Sequence, residues 1–380
     1  MRVSVVINNH DYRSYLGACI DSALGQTHPD VEVVVVDDGS TDGSVEVVEG
    51  YGRRVVPVLK PNGGQASAFN AGFAAAGGDV VIFLDADDLL EPSAAAIAAR
   101  LLADPAVAKA HWPLTVVDEH GAPTGALKPG AAGELPDGDL RDTVARRGPT
   151  CLLSPPTSGN AWSRAFLERV LPMDESVFRL GADTLLFEVA PLAGEIRRWP
   201  EPLSRYRSHR GNRWRRLGFD EILRRELRFY DACVPVAAGI AAEQELPADP
   251  ERWLTNSWWH RLRRAVDAIE AAIAPGVPYL LADQGSWGLD HTERRRPRPF
   301  LGRDGAYWGS PADDAHAISE LEGERTAGAA ALVLGWPAFW WLEHYEGFAR
   351  HLELGYRRMV QDDVVVVYDL AAPARTRAPT

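Results

Sequence analysis

Acidic residues gather in two short segments whose spacing suits chemistry, and a glycine pair forms a third. Asp37-Asp38-Gly39-Ser40-Thr41-Asp42 follows an apolar run over 31–36. It reads as a tight turn that points carboxylates into a crevice, or as a plain turn with Ser40 or Thr41 capping the next helix. Phe83-Leu84-Asp85-Ala86-Asp87-Asp88 ends another apolar run. Carboxylates at i and i+2 of an extended strand end face the same side. They repel unless a cation lies between them, and hard oxygen ligands suit Mg²⁺ or Mn²⁺. A solvated acidic turn is the structural alternative. The third segment is Lys60-Pro61-Asn62-Gly63-Gly64-Gln65. A glycine pair entering a helix offers free backbone N–H groups to an anion, or simply starts the helix.

The elements that must position these segments alternate. Strand patterns cover 3–7, 31–36, 55–59 and 80–84, and helical patterns cover 12–24, 44–51, 65–76 and 92–103. Such alternation predicts a mostly parallel sheet with helices on both faces, with ligands bound beyond the carboxyl ends of the strands. Residues 111–160 are rich in Gly, Pro and Asp and read as irregular loops with short strands; 165–170 and 184–189 read as helices. From Arg205 to Arg228 there are nine arginines against three acids, a possible phosphate clamp or a solvated basic face. Long helical patterns follow over 219–243 and 250–273. The pattern then restarts, with strands at 279–282, 329–334 and 364–368 and helices at 313–325 and 339–354, a second small α/β unit. The expected organisation is a domain over 1–218, a helical linker over 219–275 and an accessory domain over 276–380.

Composition narrows the function classes. The 380 residues carry a net charge of −13, which argues against a polyanion binder and predicts no nucleic-acid partner. Cys19, Cys151 and Cys233 are far apart and odd in number, so a disulfide framework and a structural zinc are not expected, and a reducing cytoplasm fits. The chain opens on a strand pattern, and its apolar run over 329–342 is broken by Gly335 and Pro337, short of the roughly 20 residues a spanning helix needs. Peripheral contact with a membrane stays open.

Taken together, V-V-V-V-D-D-G-S-T-D, N-G-G-Q-A-S-A-F-N-A-G and F-L-D-A-D-D resemble, in order and spacing, the inverting glycosyltransferases of family 2 over about the first 220 residues. The resemblance implies the GT-A nucleotide-diphospho-sugar transferase fold. It further implies donor contacts from Asn8, Asn9, His10, Asp38, Gly64, Gln65, Asp85 and Ala86. Asp87 would ligate a divalent cation that offsets charge on the diphosphate leaving group. The catalytic base of the family commonly sits in an E-D pair; in Gly181-Ala182-Asp183 the acid is Asp183 and Ala182 replaces the usual Glu. Asp183 as a mere helix cap is the alternative. Tyr206-Arg207-Ser208-His209-Arg210-Gly211-Asn212 resembles the segment closing many of these domains. It would make His209 a metal ligand or diphosphate contact and Arg207 and Arg210 phosphate clamps. Trp162, in an acceptor-side segment, would stack on a sugar ring or pack in the core.

The expected activity is therefore inverting transfer of a sugar from a nucleotide-diphosphate donor to a glycan, lipid-linked or other hydroxyl acceptor, in polysaccharide or glycoconjugate assembly. The rivals are a non-catalytic binder of nucleotide sugars or glycans on the same fold, and a sugar nucleotidyltransferase. The latter lacks its usual support, a Gly-rich basic loop, at Asn8-Asn9-His10-Asp11. Trp336, Phe339, Trp340, Trp341 and Tyr345 suggest core packing or a homodimer interface in the C-terminal unit, which has neither GxGxxG nor DxD.

Overall fold

The structure is a computed structural model and describes residues 1–130, 135–209, 218–288 and 295–373. Two compact units are present, Met1–Arg213 with Arg228–Leu254, and Trp214–Leu227 with Thr255–Thr380. Residues 219–275 are thus divided between the units.

In the first unit the elements run β1 (Val3–Asn9), α1 (Arg13–Leu24), β2 (Val31–Asp38), α2 (Ser44–Gly50), β3 (Val56–Lys60), α3 (Gln65–Ala75), β4 (Val80–Asp85), β5 (Leu89–Leu90) and α4 (Ala94–Leu101). They continue with β6 (Val107–His111), β7 (Leu114–Val117), β8 (Pro123–Lys128), α5 (Arg141–Arg147), β9 (Asn160–Ser163), α6 (Arg164–Val170), α7 (Ala182–Ala193), β10 (Glu195–Arg198) and β11 (Ser204–Arg207). Helix α8 (Phe219–Glu243) and α9 (Pro250–Asn256) follow.

Seven strands form one sheet in the order β10-β6-β9-β4-β1-β2-β3. β1 runs parallel to β2 and β4, and β2 to β3, while β9 is antiparallel to both its neighbours. The uninterrupted valine runs are explained by this arrangement, since both faces are covered. Val6, Val34, Val36, Val81 and Phe83 enter one core with α3 and α7. Val5, Ile7, Val33, Val35, Ile82 and Leu84 enter the opposite core with α1 and α4. The close seating of α3 requires Gly72, where a Cβ would stand 2.3 Å from Val6 Cγ1. The chain leaves β1 towards β2 and β3, then crosses back by α3 to β4 on the other side. The gap between β1 and β4 is therefore a topological switch point, where such sheets bind ligands. A second sheet, β5-β11-β7-β8, arises from segments that read as irregular because their strands are short and largely exposed in β8.

The second unit contains α10 (Trp258–Ala272), β12 (Pro278–Ala282), β13 (Arg296–Pro299), β14 (Gly302–Arg303), β15 (Ala306–Tyr307), α11 (Asp314–Thr326), β16 (Ala331–Gly335), α12 (Trp340–His344), α13 (Glu346–Gly355), β17 (Tyr356–Gln361) and β18 (Val365–Pro373). Its five-stranded sheet has the order β13-β12-β16-β18-β17. Ser257 breaks the expected helix over 250–273, its hydroxyl capping α10 by accepting from the His260 amide at 3.1 Å. Trp341 and Tyr345 are buried in the core with Phe300 and Phe348, whereas Trp340 is exposed. Among the described residues no helix is long and apolar enough to cross a membrane.

Candidate active site at the carboxyl ends of the central strands

Parallel register sets the ends of β1, β2 and β4 side by side, pairing Asn8 with Asp85 and Asn9 with Asp37. Asn8 Nδ2 donates to Asp85 Oδ1 at 2.7 Å, and Asn9 Nδ2 to Asp37 Oδ2 at 2.8 Å. Asp37 also caps the turn by accepting from the Ser40 amide at 2.9 Å. Three consecutive residues at this strand end retain buried polar atoms without a partner: Asn8 Oδ1, Asn9 Oδ1 and His10 Nδ1. Buried acceptors and donors are nearly always satisfied, so three consecutive exceptions single out this strand end.

Asp38 is 3% exposed, and its carboxylate is already engaged. Oδ1 accepts from Lys60 Nζ at 2.6 Å and from the Gly63 amide at 2.9 Å, and Oδ2 accepts from the Gly64 amide at 2.7 Å. In this structure Asp38 shapes the glycine loop. Gly64 has φ of +89°, and a Cβ there would lie 2.4 Å from the Arg179 carbonyl oxygen, so the close approach needs glycine. The side-chain carbonyl of Gln65 accepts from the Gly181 and Ala182 amides at 2.9 and 3.0 Å.

Asp85 ends β4 and the turn after it holds Asp87 and Asp88, with the Ala86 amide donating to the Asn8 carbonyl at 3.3 Å. Burial, and then the charge of Asp87, push the Asp85 carboxyl up to about 7. Burial and the charges of Asp87 and Asp85 likewise raise Asp88 well above the carboxylate range. Asp88 accepts from the Ser158 hydroxyl at 2.7 Å and the Arg207 amide at 2.9 Å. Opposite Asp87, His209 Nε2 stands 2.9 Å from Oδ2, its ring packed against Tyr12 and Tyr15. Among the described residues no group of three His, Cys, Asp or Glu side chains forms a metal cage by itself.

Arg207 lies buried and braces this turn from behind: Nε donates to the Asp87 carbonyl at 2.9 Å and Nη1 to the Glu119 carbonyl at 3.1 Å. Its guanidinium also covers the Tyr15 ring at 4.9 Å. Arg210 lies outside the described residues. Trp162 is 1% exposed and stacks between Phe166 and Phe187, so its expected sugar-facing surface is spent on the core.

Asp183 is the second residue of α7, whose N-cap is Gly181 in the left-handed region. Thr157 donates its hydroxyl to Asp183 Oδ2 at 2.7 Å, yet burial still holds the carboxyl above its ordinary value. Lys109 on β6 is a further group of this neighbourhood. It donates to Ser154 Oγ at 2.5 Å and lies 5.0 Å from the Phe187 ring centre. Burial lowers it to about 7, against the charges of Glu188 and Asp183. Ser158 opens the acceptor-side segment, whereas Thr157 and Lys109 escaped the sequence; the one available signal was a lysine inside the otherwise strand-like Val107-Ala108-Lys109-Ala110.

A mostly parallel sheet whose switch point gathers carboxylates, asparagine oxygens without a partner and a glycine loop has the architecture of the nucleotide-diphospho-sugar transferase folds of the GT-A type. Residues 4–121 match the family model Glycosyl transferase family 2, so this part of the first unit is similar to the domains of that family. An uncharacterized glycosyltransferase of Nostoc sp. is 38% identical over 216 residues, 56% of this chain and 66% of the relative. Chondroitin synthase of Pasteurella multocida is 46% identical over 95 residues, 24% of this chain but 10% of the synthase. The chain thus spans less than two thirds of the length of these relatives. The crystal structure of TarS from Staphylococcus aureus aligns with a TM-score of 0.46 and 17% identity, covering 70% of this chain and 47% of TarS.

Proposed function

We propose that the first unit transfers a sugar from a nucleotide-diphosphate donor to a hydroxyl acceptor, with inversion and with a divalent cation. The observation that carries this reading is the crowding of Asp85, Asp87 and Asp88 beside the partnerless Asn8, Asn9 and His10 atoms at one switch point. Asn8, Asn9 and His10 would meet the nucleotide. Gly64, with its own amide and that of Gly63 fixed by Asp38, and Ala86 would line the donor path. Asp87 with His209 fits a hard cation, because a carboxylate and an imidazole at this point supply oxygen and nitrogen donors, while Asp85 would meet the ribose of the donor. Two or three protein ligands suffice, since Mg²⁺ sites beside phosphates complete their shell from substrate and water. The ion's contribution is charge stabilisation of the departing diphosphate.

Asp183 acts as the base. The acceptor oxygen attacks the anomeric carbon, the bond from that carbon to the diphosphate oxygen breaks with its electron pair leaving on the diphosphate, and the hydroxyl proton passes to Asp183. One displacement inverts the centre, so a single carboxylate is enough and Ala182 is no obstacle. The acceptor is a glycan or lipid-linked hydroxyl in polysaccharide or glycoconjugate assembly, on the cytoplasmic side.

The test is incubation with UDP-, GDP- and dTDP-sugars under Mg²⁺, Mn²⁺ or EDTA, reading free nucleoside diphosphate, with donor binding followed by calorimetry. Metal-dependent release from one donor, lost in Asp87→Ala, is expected. Absence of both release and metal-dependent donor binding would reject the reading.

A further inference from the structure

Helix α7 carries the proposed base but lacks a capping side chain of its own: its N-cap is Gly181, without a side chain to accept from the first-turn amides. Those orphan donors need acceptors, and burial makes them costly to leave free. Gly181 and Ala182 are buried, and both amides are satisfied by one atom, Gln65 Oε1, at 2.9 and 3.0 Å. Gln65 stands 116 residues earlier, at the first position of α3. The strap is doubled by the backbone, since the Gln65 amide donates to the Arg179 carbonyl at 2.8 Å and the Ala66 amide to the Phe178 carbonyl at 3.3 Å. On its other side Gln65 follows Gly63 and Gly64, whose amides are held by Asp38. A continuous chain of bonds therefore links the end of β2, the glycine loop, Gln65 and the residue before Asp183.

We infer that Gln65 is the positioning residue for the catalytic base, capping α7 from the donor-side loop and thereby setting where the Asp183 carboxylate stands. This rests on the reading of Asp183 as base. The sequence suggested a donor contact for Gln65; its carbonyl is instead committed to α7. The reason such a device suits this enzyme is geometric. A base must sit within hydrogen-bond reach of the acceptor hydroxyl, and a displacement of about 1 Å can cost roughly 10²-fold in rate. A cap supplied by the donor loop fixes the base relative to the donor rather than to its own helix.

Gln65→Met removes the acceptor while keeping length; Gln65→Glu keeps an acceptor oxygen and adds charge near Asp183. With the donor found above, kcat, donor Kd by calorimetry, the pH profile and amide exchange at Gly181 and Ala182 are measured for wild type and both variants. In Gln65→Met, kcat is expected to fall by about 10- to 100-fold, donor Kd to stay within about twofold, and the two amides to exchange faster. Gln65→Glu should restore most of kcat and the protection, and move the acidic limb of the pH profile upward, because a second negative charge favours protonated Asp183. Unchanged kcat in Gln65→Met overturns the inference, as does donor binding lost in parallel with kcat without rescue by Glu. If wild type releases no nucleotide and binds no donor, the functional reading fails and this inference falls with it. If wild type is active and only the Gln65 results differ, the inference alone fails.

Discussion

Carboxylates in the two units receive opposite treatment. In the second unit Glu322 on α11 is half-buried, which opposes ionisation, yet the Tyr356 hydroxyl, His351 Nε2 at 2.8 Å and Arg325 Nε at 2.8 Å hold it down to about 2. In the first unit three aspartates within four residues are left with one imidazole, amides and hydroxyls, and burial with mutual repulsion drives Asp85 up to about 7. The same chain that surrounds one carboxylate with donors leaves three underpaid in charge at a strand end. Glu322 is neutralised by its neighbours, whereas the three aspartates retain uncompensated charge, the pattern that marks candidate functional sites.

The largest effect that would sharpen this contrast is on rate. Asp183→Asn is expected to lower turnover by about 10²- to 10⁴-fold with donor binding intact, while Glu322→Gln leaves turnover unchanged. Parallel kinetics on the two variants check this, and equal losses would break the distinction between the acids of the two units. Next comes packing: Trp162→Ala should cost about 3–5 kcal/mol in denaturant unfolding, because its rings lie in the core and not on substrate. A smaller, unfolded-state effect would indicate that Trp162 is more exposed in solution.

Stability against pH separates the clusters by sign. Asp85 has a folded value near 7, above the ordinary 3.8, so the folded state favours its protonated form. In the metal-free protein this contribution is present below about pH 4 and is lost as pH rises through 7, by on the order of a few kcal/mol. Glu322 runs the other way: its contribution is present above 4.5 and is lost as pH falls through about 2, and it is smaller because solvent screens it. Thermal melts from pH 3 to 8 should therefore show Asp85→Asn flattening the decline towards neutrality, and Mg²⁺ or Mn²⁺ restoring stability at the alkaline end only when Asp87 is intact. A third pH signature belongs to Lys109. Its folded value near 7 lies below the ordinary 10.5, so burying it costs most below pH 7 and progressively less towards 10.5. Lys109→Met should be the more stable protein at pH 6, with the gap in melting temperature closing as pH approaches 10.5.

Much of the first unit was legible because its determinants are local. Apolar runs such as Val33–Val36 are unbroken only when both faces of a strand are covered, and D-D-G-S-T-D and D-A-D-D bring their carboxylates together within a few residues whatever the rest of the chain does. Strands without an apolar pattern were missed: β17 reads Tyr-Arg-Arg-Met-Val-Gln and lies at a sheet edge, where half its positions meet water. The tertiary structure alone decided the partners. That Asp38 holds Lys60 and the glycine loop, that Gln65 caps a helix 116 residues away, that His209 meets Asp87 across 122 residues, and that Trp162 turns into the core all depend on strand order and on the crossover of α3. Periodicity fixes which face of an element is buried; which distant side chain meets it there is set only when the sheet closes around its switch point.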